Sequence, residues 1–150
     1  MRAVVQRVNH ASVRIDGMEI ARIGRGILVL VGLSKDDARQ DLEWMARKVL
    51  ELRIFDDADG KLNLSVQDIG GGVLLVSQFT LLGDCRKGRR PSYSDAASPA
   101  QAEGLYGEFL CIVRGLMPAV QSGKFQAMMD VELVNAGPVT LILDSRAGRG

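Results

Sequence analysis

The chain holds one histidine, His10, two cysteines, and a formal net charge of only +1 over 150 residues. Each scarcity removes a class of chemistry. A metal centre built from several histidines is excluded by count, and Cys85 and Cys111 are too few for a zinc cluster. They have neither CxxC spacing nor the density of a disulfide scaffold, which fits a reducing, cytoplasmic setting. A Ser-His-Asp or Cys-His hydrolase would have to use His10, which lies in an arginine-containing segment with no nucleophile motif around it. The longest apolar run with its glycines, residues 26–33, is far too short to span a bilayer. The first seven residues lack the apolar centre and cleavage site of a signal peptide. With charge so nearly balanced, any nucleic-acid signal has to be local.

What is present describes one soluble domain. Apolar residues make up 47% and charged residues 25%, ordinary values for a globular chain. A chain of this length buries roughly 68–70% of its extended surface, enough for a real core. Residues 1–145 are expected to form the domain. Residues 145–150 carry no core-forming side chain, and 146–150 are expected to be a mobile tail.

Periodicity gives the order of elements. Residues 2–8 and 11–15 read as strands, Asp16-Gly17 as a hairpin turn, residues 19–23 as the return strand and 27–33 as a central strand. Ser34 and Asp37 have capping-box spacing ahead of an amphipathic helix marked by Leu42, Met45, Ala46, Val49, Leu50 and Arg53. The acidic stretch Asp56 to Gly60 reads as an ordinary turn, without the ligand spacing of a calcium loop. Residues 61–67 are a short extended piece. Ser98, Pro99 and Gln101 cap a second helix whose face carries Ala102, Leu105, Phe109, Ile112, Val113 and Leu116, and Pro118 closes it. Residues 129–143 alternate as a last strand, interrupted at Asn135-Ala-Gly-Pro138. Hairpin-type neighbours dominate. The fold class predicted is α+β, a mostly antiparallel or mixed, barrel-like sheet with two main helices packed on it.

Two stretches stand out chemically. After Gly70-Gly-Gly72, residues 73–76 form a buried strand that runs into Ser77, Gln78, Phe79 and Thr80. Continued strand alternation would put Gln78 and Thr80 on one face, Ser77 and Phe79 on the other. Buried polar groups cost about 1–3 kcal/mol each unless paired, so these need partners, a ligand or an exposed cleft. Next, Arg86, Lys87, Arg89 and Arg90 gather around Gly88, a run suited to phosphate contact. No activating base lies near Ser77 or Thr80 in the local sequence. What remains is catalysis by backbone amides, positioning and the substrate's own groups.

Ser77-Gln-Phe-Thr-Leu81 and Asn135-Ala-Gly-Pro-Val-Thr140 closely resemble the two signatures of the D-aminoacyl-tRNA deacylase family. The likeness extends to Gln6-Arg-Val8, Lys87-Gly-Arg-Arg-Pro91, Ser98-Pro99, and Phe125 with Met129. The resemblance implies a homodimer that, without cofactor or metal, hydrolyses the ester between a D-amino acid, or glycine, and the terminal ribose of tRNA. It implies a cis Gly137-Pro138 bond reaching into the partner's pocket. Ser77, Gln78, Phe79 and Thr80 would then be the catalytic floor, Phe125 and Met129 an apolar wall, and Arg7 a support for the Gly-Pro loop. Arg86, Lys87, Arg89 and Arg90 would bind tRNA. No membrane and no DNA partner is expected. Two alternatives stay open: a non-catalytic dimeric RNA- or nucleotide-binding module, and an esterase for small acyl substrates.

Overall fold

A computed structural model describes residues 1–147. Its sheet is assembled on β1 (Arg2–Ile15), one continuous strand where the sequence pattern suggests two. β8 (Asp130–Asp144) pairs antiparallel along one edge, from Arg2↔Asp144 to Arg14↔Asp130. The other edge is divided. β3 (Gly26–Gly32) pairs with residues 2–8, and β2 (Met18–Ile23) with residues 11–15. Asp16 and Gly17 both take positive φ, the conformation of the hairpin turn that their sequence predicts. β6 (Gly72–Ser77) is parallel to β3, and β7 (Gln121–Ser122) is parallel to β6. The result is a mixed, nearly closed, barrel-like sheet with two helices, α1 (Arg39–Glu51) and α2 (Pro99–Leu116). β4 (Phe55–Asp56) and β5 (Leu62–Leu64) form a separate hairpin around the acidic turn.

Alternation sorts the core into two layers. Ile27, Val29, Val31, Val73 and Leu75 face the helices, against Leu42, Met45, Val49, Phe109 and Val113. Leu28, Leu74 and Val76 face the other way, with Val8, Ala11, Val13 and Ile23. β3 and β6 read as unbroken apolar runs because both of their faces are covered. Each such Leu, Ile or Val contributes on the order of 1.5–3 kcal/mol on burial.

Three expectations are corrected. Helix α1 begins at Arg39, not after Ser34: Asp41 Oδ2 accepts the N–H of Ala38 at 2.9 Å and closes the first turn. The Ser34–Asp37 pair instead makes a tight loop, with Asp37 Oδ2 accepting from Ser34 N at 2.7 Å and Oδ1 from the Met1 ammonium. Second, β6 stops at Ser77, and residues 79–82 wind into a 3-10 turn, so strand alternation does not govern Gln78 and Thr80. Short polar side chains there bond locally and compete with the ladder. Third, the reading that residues 145–150 carry no core-forming side chain fails at Ser145. It is buried, donates to Asp41 Oδ1 at 2.7 Å and accepts from the Met1 ammonium at 3.0 Å. Arg146 donates to Asp36 Oδ2 at 3.2 Å, and the remaining expectation of a mobile end falls, for residues 148–150, outside the described residues. No helix among the described residues is long and apolar enough to cross a membrane.

Gly26 and Gly72 face each other across the parallel β3–β6 pair. A Cβ on Gly26 would stand 1.9 Å from the Gly72 carbonyl oxygen, a collision with backbone that no side-chain rotation relieves, whereas Gly24 faces open space. Gly26→Ala is expected to lower stability by about 3 kcal/mol or more, with Gly24→Ala far milder. Urea unfolding of both variants measures this; equal effects would contradict the close approach.

Candidate active site

The residues 77–80 owe their shape to the end of β6. The Gln78 N–H makes the last bond to β3, to Val31 O at 2.7 Å, and the chain then turns: Leu81 N bonds Gln78 O at 3.2 Å and Gly83 N bonds Thr80 O at 3.0 Å. The turn brings the Gln78 amide into a hydrogen bond with the Thr80 hydroxyl, so these two side chains do meet, by a local bond rather than by sharing a strand face. Phe79 is 55% exposed and its ring lies 5.0 Å from that of Tyr93. Arg2, from the first position of β1, donates to Leu81 O at 2.8 Å and to Asp144, which fixes the far end of the turn.

An apolar wall stands beside this floor because β7 continues the sheet next to β6. The Gly123 N–H bonds Leu75 O at 2.9 Å, and a Cβ on Gly123 would meet Met129 Sδ at 2.8 Å and Val76 Cγ2 at 3.7 Å. Phe125 stacks on Tyr106, with ring centroids 5.8 Å apart. Tyr106 is buried and donates to Leu75 O at 3.2 Å, and burial pushes its phenol up to about 12. Phe125 and Met129 thus stand beside the Leu75–Val76 part of β6, the strand end that leads into Ser77, Gln78, Phe79 and Thr80.

Gly137 and Pro138 sit elsewhere. β8 pairs Thr140 with Gln6 and Asn135 with Val8, so residues 136–139 stand opposite Arg7 alone and loop out. The Gly137-Pro138 bond is cis, and Gly137 has φ +118, a region that side chains disfavour. Arg7 holds the loop base: its Nε donates to Ala136 O at 3.1 Å and Nη1 to Ile54 O at 2.8 Å. Asn135 accepts from Val139 N at 3.0 Å and donates to Thr140 Oγ1 at 2.7 Å. Ser77 lies level with Val31, Ala3 and Leu143, whereas Arg7 lies level with Ile27 and Val73. Counted along the sheet, loop and floor are set apart by the stretch from Val73 to Ser77, about 13 Å of strand, and by three inter-strand spacings, about 14 Å. Among the described residues no hydrogen bond joins residues 136–139 to Ser77, Gln78, Phe79 or Thr80.

The basic loop is a small closed unit. Asp84 and Ser92 exchange backbone hydrogen bonds of 2.7 and 2.9 Å at its base. The four cations are not equivalent. Arg86 is clasped by the Asp84 carboxylate at 2.7 and 2.9 Å, and this guanidinium holds Asp84 down at about 2. Lys87, Arg89 and Arg90 are exposed with no ion-pair partner among the described residues. A cleft of about 500 Å³, lined by Arg2, Leu82, Asp84, Cys85, Arg86 and Asp95, joins the loop to the end of the 3-10 turn. No group of three or more His, Cys, Asp or Glu among the described residues could hold a metal ion.

Sequence reasoning missed Arg2, Tyr93, Tyr106 and the shaping role of Asn135. For Arg2 the only trace is its outward place in the β1 alternation; Tyr93 and Tyr106 act through contacts made across the sheet.

The chain as a whole matches a known enzyme class. The D-Tyr-tRNA(Tyr) deacylase family model matches residues 4–144. The chain is 58% identical to the D-aminoacyl-tRNA deacylase of Syntrophobacter fumaroxidans over 97% of its own length and 98% of that protein. It is 56% identical to that of Fervidobacterium nodosum at the same coverage. Among solved structures it matches a c-Myc DNA unwinding element binding protein with a TM-score of 0.92 at 46% identity, over 96% of this chain and 98% of that one. A probable eukaryotic D-amino acid tRNA deacylase, 20% identical with a TM-score of 0.78 over 95% and 97%, shares the fold. The chain belongs to the D-aminoacyl-tRNA deacylase family.

Tyr106 gives a pH signature for the apolar wall. Its phenol ionises near 10 in an unfolded chain and near 12 in the fold. The neutral form is favoured on folding, so this contribution is full below pH ~10 and is lost as pH rises towards ~12. Tyr106→Phe is expected to flatten the fall in stability over that window, measured by thermal unfolding. An unchanged alkaline limb would contradict the burial assigned to the phenol.

Proposed function

We propose that this protein hydrolyses the ester joining a D-amino acid, or glycine, to the terminal ribose of tRNA, acting as a cytoplasmic homodimer with sites shared between subunits. The observation that carries this reading is the placing of Gly123 and Met129 beside Val76, at the end of β6 that leads into Ser77, Gln78, Phe79 and Thr80, in a member of this family. The separation of the Gly137-Pro138 loop from that floor supports a shared site. If loop and floor serve one substrate, two chains have to supply them.

An aminoacyl ester is already activated, so the protein need not supply a strong nucleophile. Water adds to the carbonyl carbon, the bond to the ribose oxygen breaks, and that oxygen leaves with a proton. Free amino acid and tRNA are the products. The backbone N–H groups of Phe79 and Thr80 are the proposed stabilisers of the developing oxyanion. The neighbouring ribose hydroxyl assists the water, which suits a floor without a titratable base. Main-chain oxygens of Gly137 and Pro138 receive the α-amino group. An L side chain then runs into the wall, a D side chain points away from it, and glycine has nothing to exclude.

Lys87, Arg89 and Arg90 carry the tRNA phosphate contacts, while Arg86, occupied by Asp84, keeps the loop in shape. The test is ester loss from matched D-, L- and glycyl-tRNA. D and glycyl esters are expected to be cleaved at least about 100-fold faster than L, since rejection by clash exceeds what an apolar pocket achieves. Comparable D and L rates would contradict the chiral reading. Binding without ester loss would favour the non-catalytic alternative. Duplex DNA is the competitor to include, because one solved relative is named for binding a DNA element.

A further inference from the structure

A second groove, of about 310 Å³, lies beside the Gly-Pro loop and is lined by Arg7, Val8, Asn9, Arg25, Asp56 and Ala136. Its two cations differ in kind. The Arg7 side chain is only 14% exposed and is consumed by Ala136 O and Ile54 O, with Asp56 3.9 Å away. Arg25, in the short turn between β2 and β3, is exposed and has no carboxylate partner among the described residues. Its guanidinium carbon lies 5.5 Å from the centroid of the Phe55 ring, which is fully buried. A guanidinium held over an aromatic ring is restrained, yet its N–H groups bond no protein acceptor among the described residues. Restrained, unpaired and forked donors are the arrangement that matches two oxygens of one phosphate. Asp56 offsets Arg7, so the groove keeps one net positive charge, that of Arg25.

We infer that this groove binds a backbone phosphate of the tRNA acceptor end, with Arg25 as the anchoring residue and the Asn9 amide beside it. This rests on the proposed substrate. If the Gly-Pro loop touches the aminoacyl end, the groove lies within reach of the nucleotides just before it. Within one chain the basic loop at residues 86–90 sits at the other end of the strands.

The test compares two substrates that share the ester and differ in phosphate: D-aminoacyl-tRNA and D-aminoacyl-adenosine. Arg25→Gln is expected to reduce kcat/KM for the tRNA about ten-fold more than for the adenosine ester, chiefly through KM, the scale of one charge-assisted bond. The salt dependence of tRNA binding should become shallower by about 0.7–0.9 in log–log slope. Arg25→Lys keeps the charge and should retain most of the slope while losing part of the affinity. Equal effects on the two substrates, or an unchanged slope in Arg25→Gln, would overturn the phosphate site and leave the deacylase reading standing. Wild-type protein that cleaves neither ester would overturn both.

Discussion

The site depends on β1 holding β8 in register on both sides of an interruption. With Gln6 opposite Thr140 and Val8 opposite Asn135, four residues of β8 face the single residue Arg7. Excess chain of that length has to leave the ladder, and it leaves with carbonyls and N–H groups that need partners. Arg7 satisfies Ala136 O, Asn135 satisfies Val139 N, and Thr140 Oγ1 receives both Asn135 and Gln6. The protrusion is therefore a built feature. A Cβ at Gly137 would press on Arg7 Nη2 at 2.7 Å and would also disfavour the observed φ.

Much of this was legible in the residues, for reasons that differ between elements. The Asp16-Gly17 turn, the Ser98–Pro99 start of α2 and the double-sided apolar strands β3 and β6 follow from local rules, and each forms as those rules predict. Ser98 Oγ accepts the Gln101 N–H at 3.3 Å, the bond its spacing predicts. Capping-box spacing at Ser34 misplaces the start of α1 because a loop serves that spacing equally well. Asp37 there answers a long-range demand, the buried Met1 ammonium, which no local pattern reveals. Residues 77–80 show the reverse case. Their polarity marks the end of the buried strand, but strand periodicity assigns the wrong geometry, since Gln78 and Thr80 bond each other across a turn.

Electrostatics divide the cations into those that shape and those left to bind. Arg2, Arg7 and Arg86 spend their donors on Leu81, Ala136, Ile54, Asp84 and Asp144, and so fix turn, loop base and basic loop. Among the described residues, Lys87, Arg89, Arg90 and Arg25 find no hydrogen-bond or ion-pair partner. A net charge of +1 thus conceals local positive places, among them the basic loop and Arg25, which lie at opposite ends of the sheet within one chain.

The central claim is that a floor from one chain works with a loop from another. Subunits damaged at Gly137 (Gly137→Ala) and subunits damaged at the floor (Gln78→Ala with Phe79→Ala) are each expected to be inactive alone. Mixed, they form heterodimers in which one site joins an intact floor to an intact loop. Recovery of D-aminoacyl-tRNA hydrolysis in the mixture is the predicted result. Heterodimers shown to have formed but still inactive would mean that each loop serves its own chain, and the account of a shared site would be wrong.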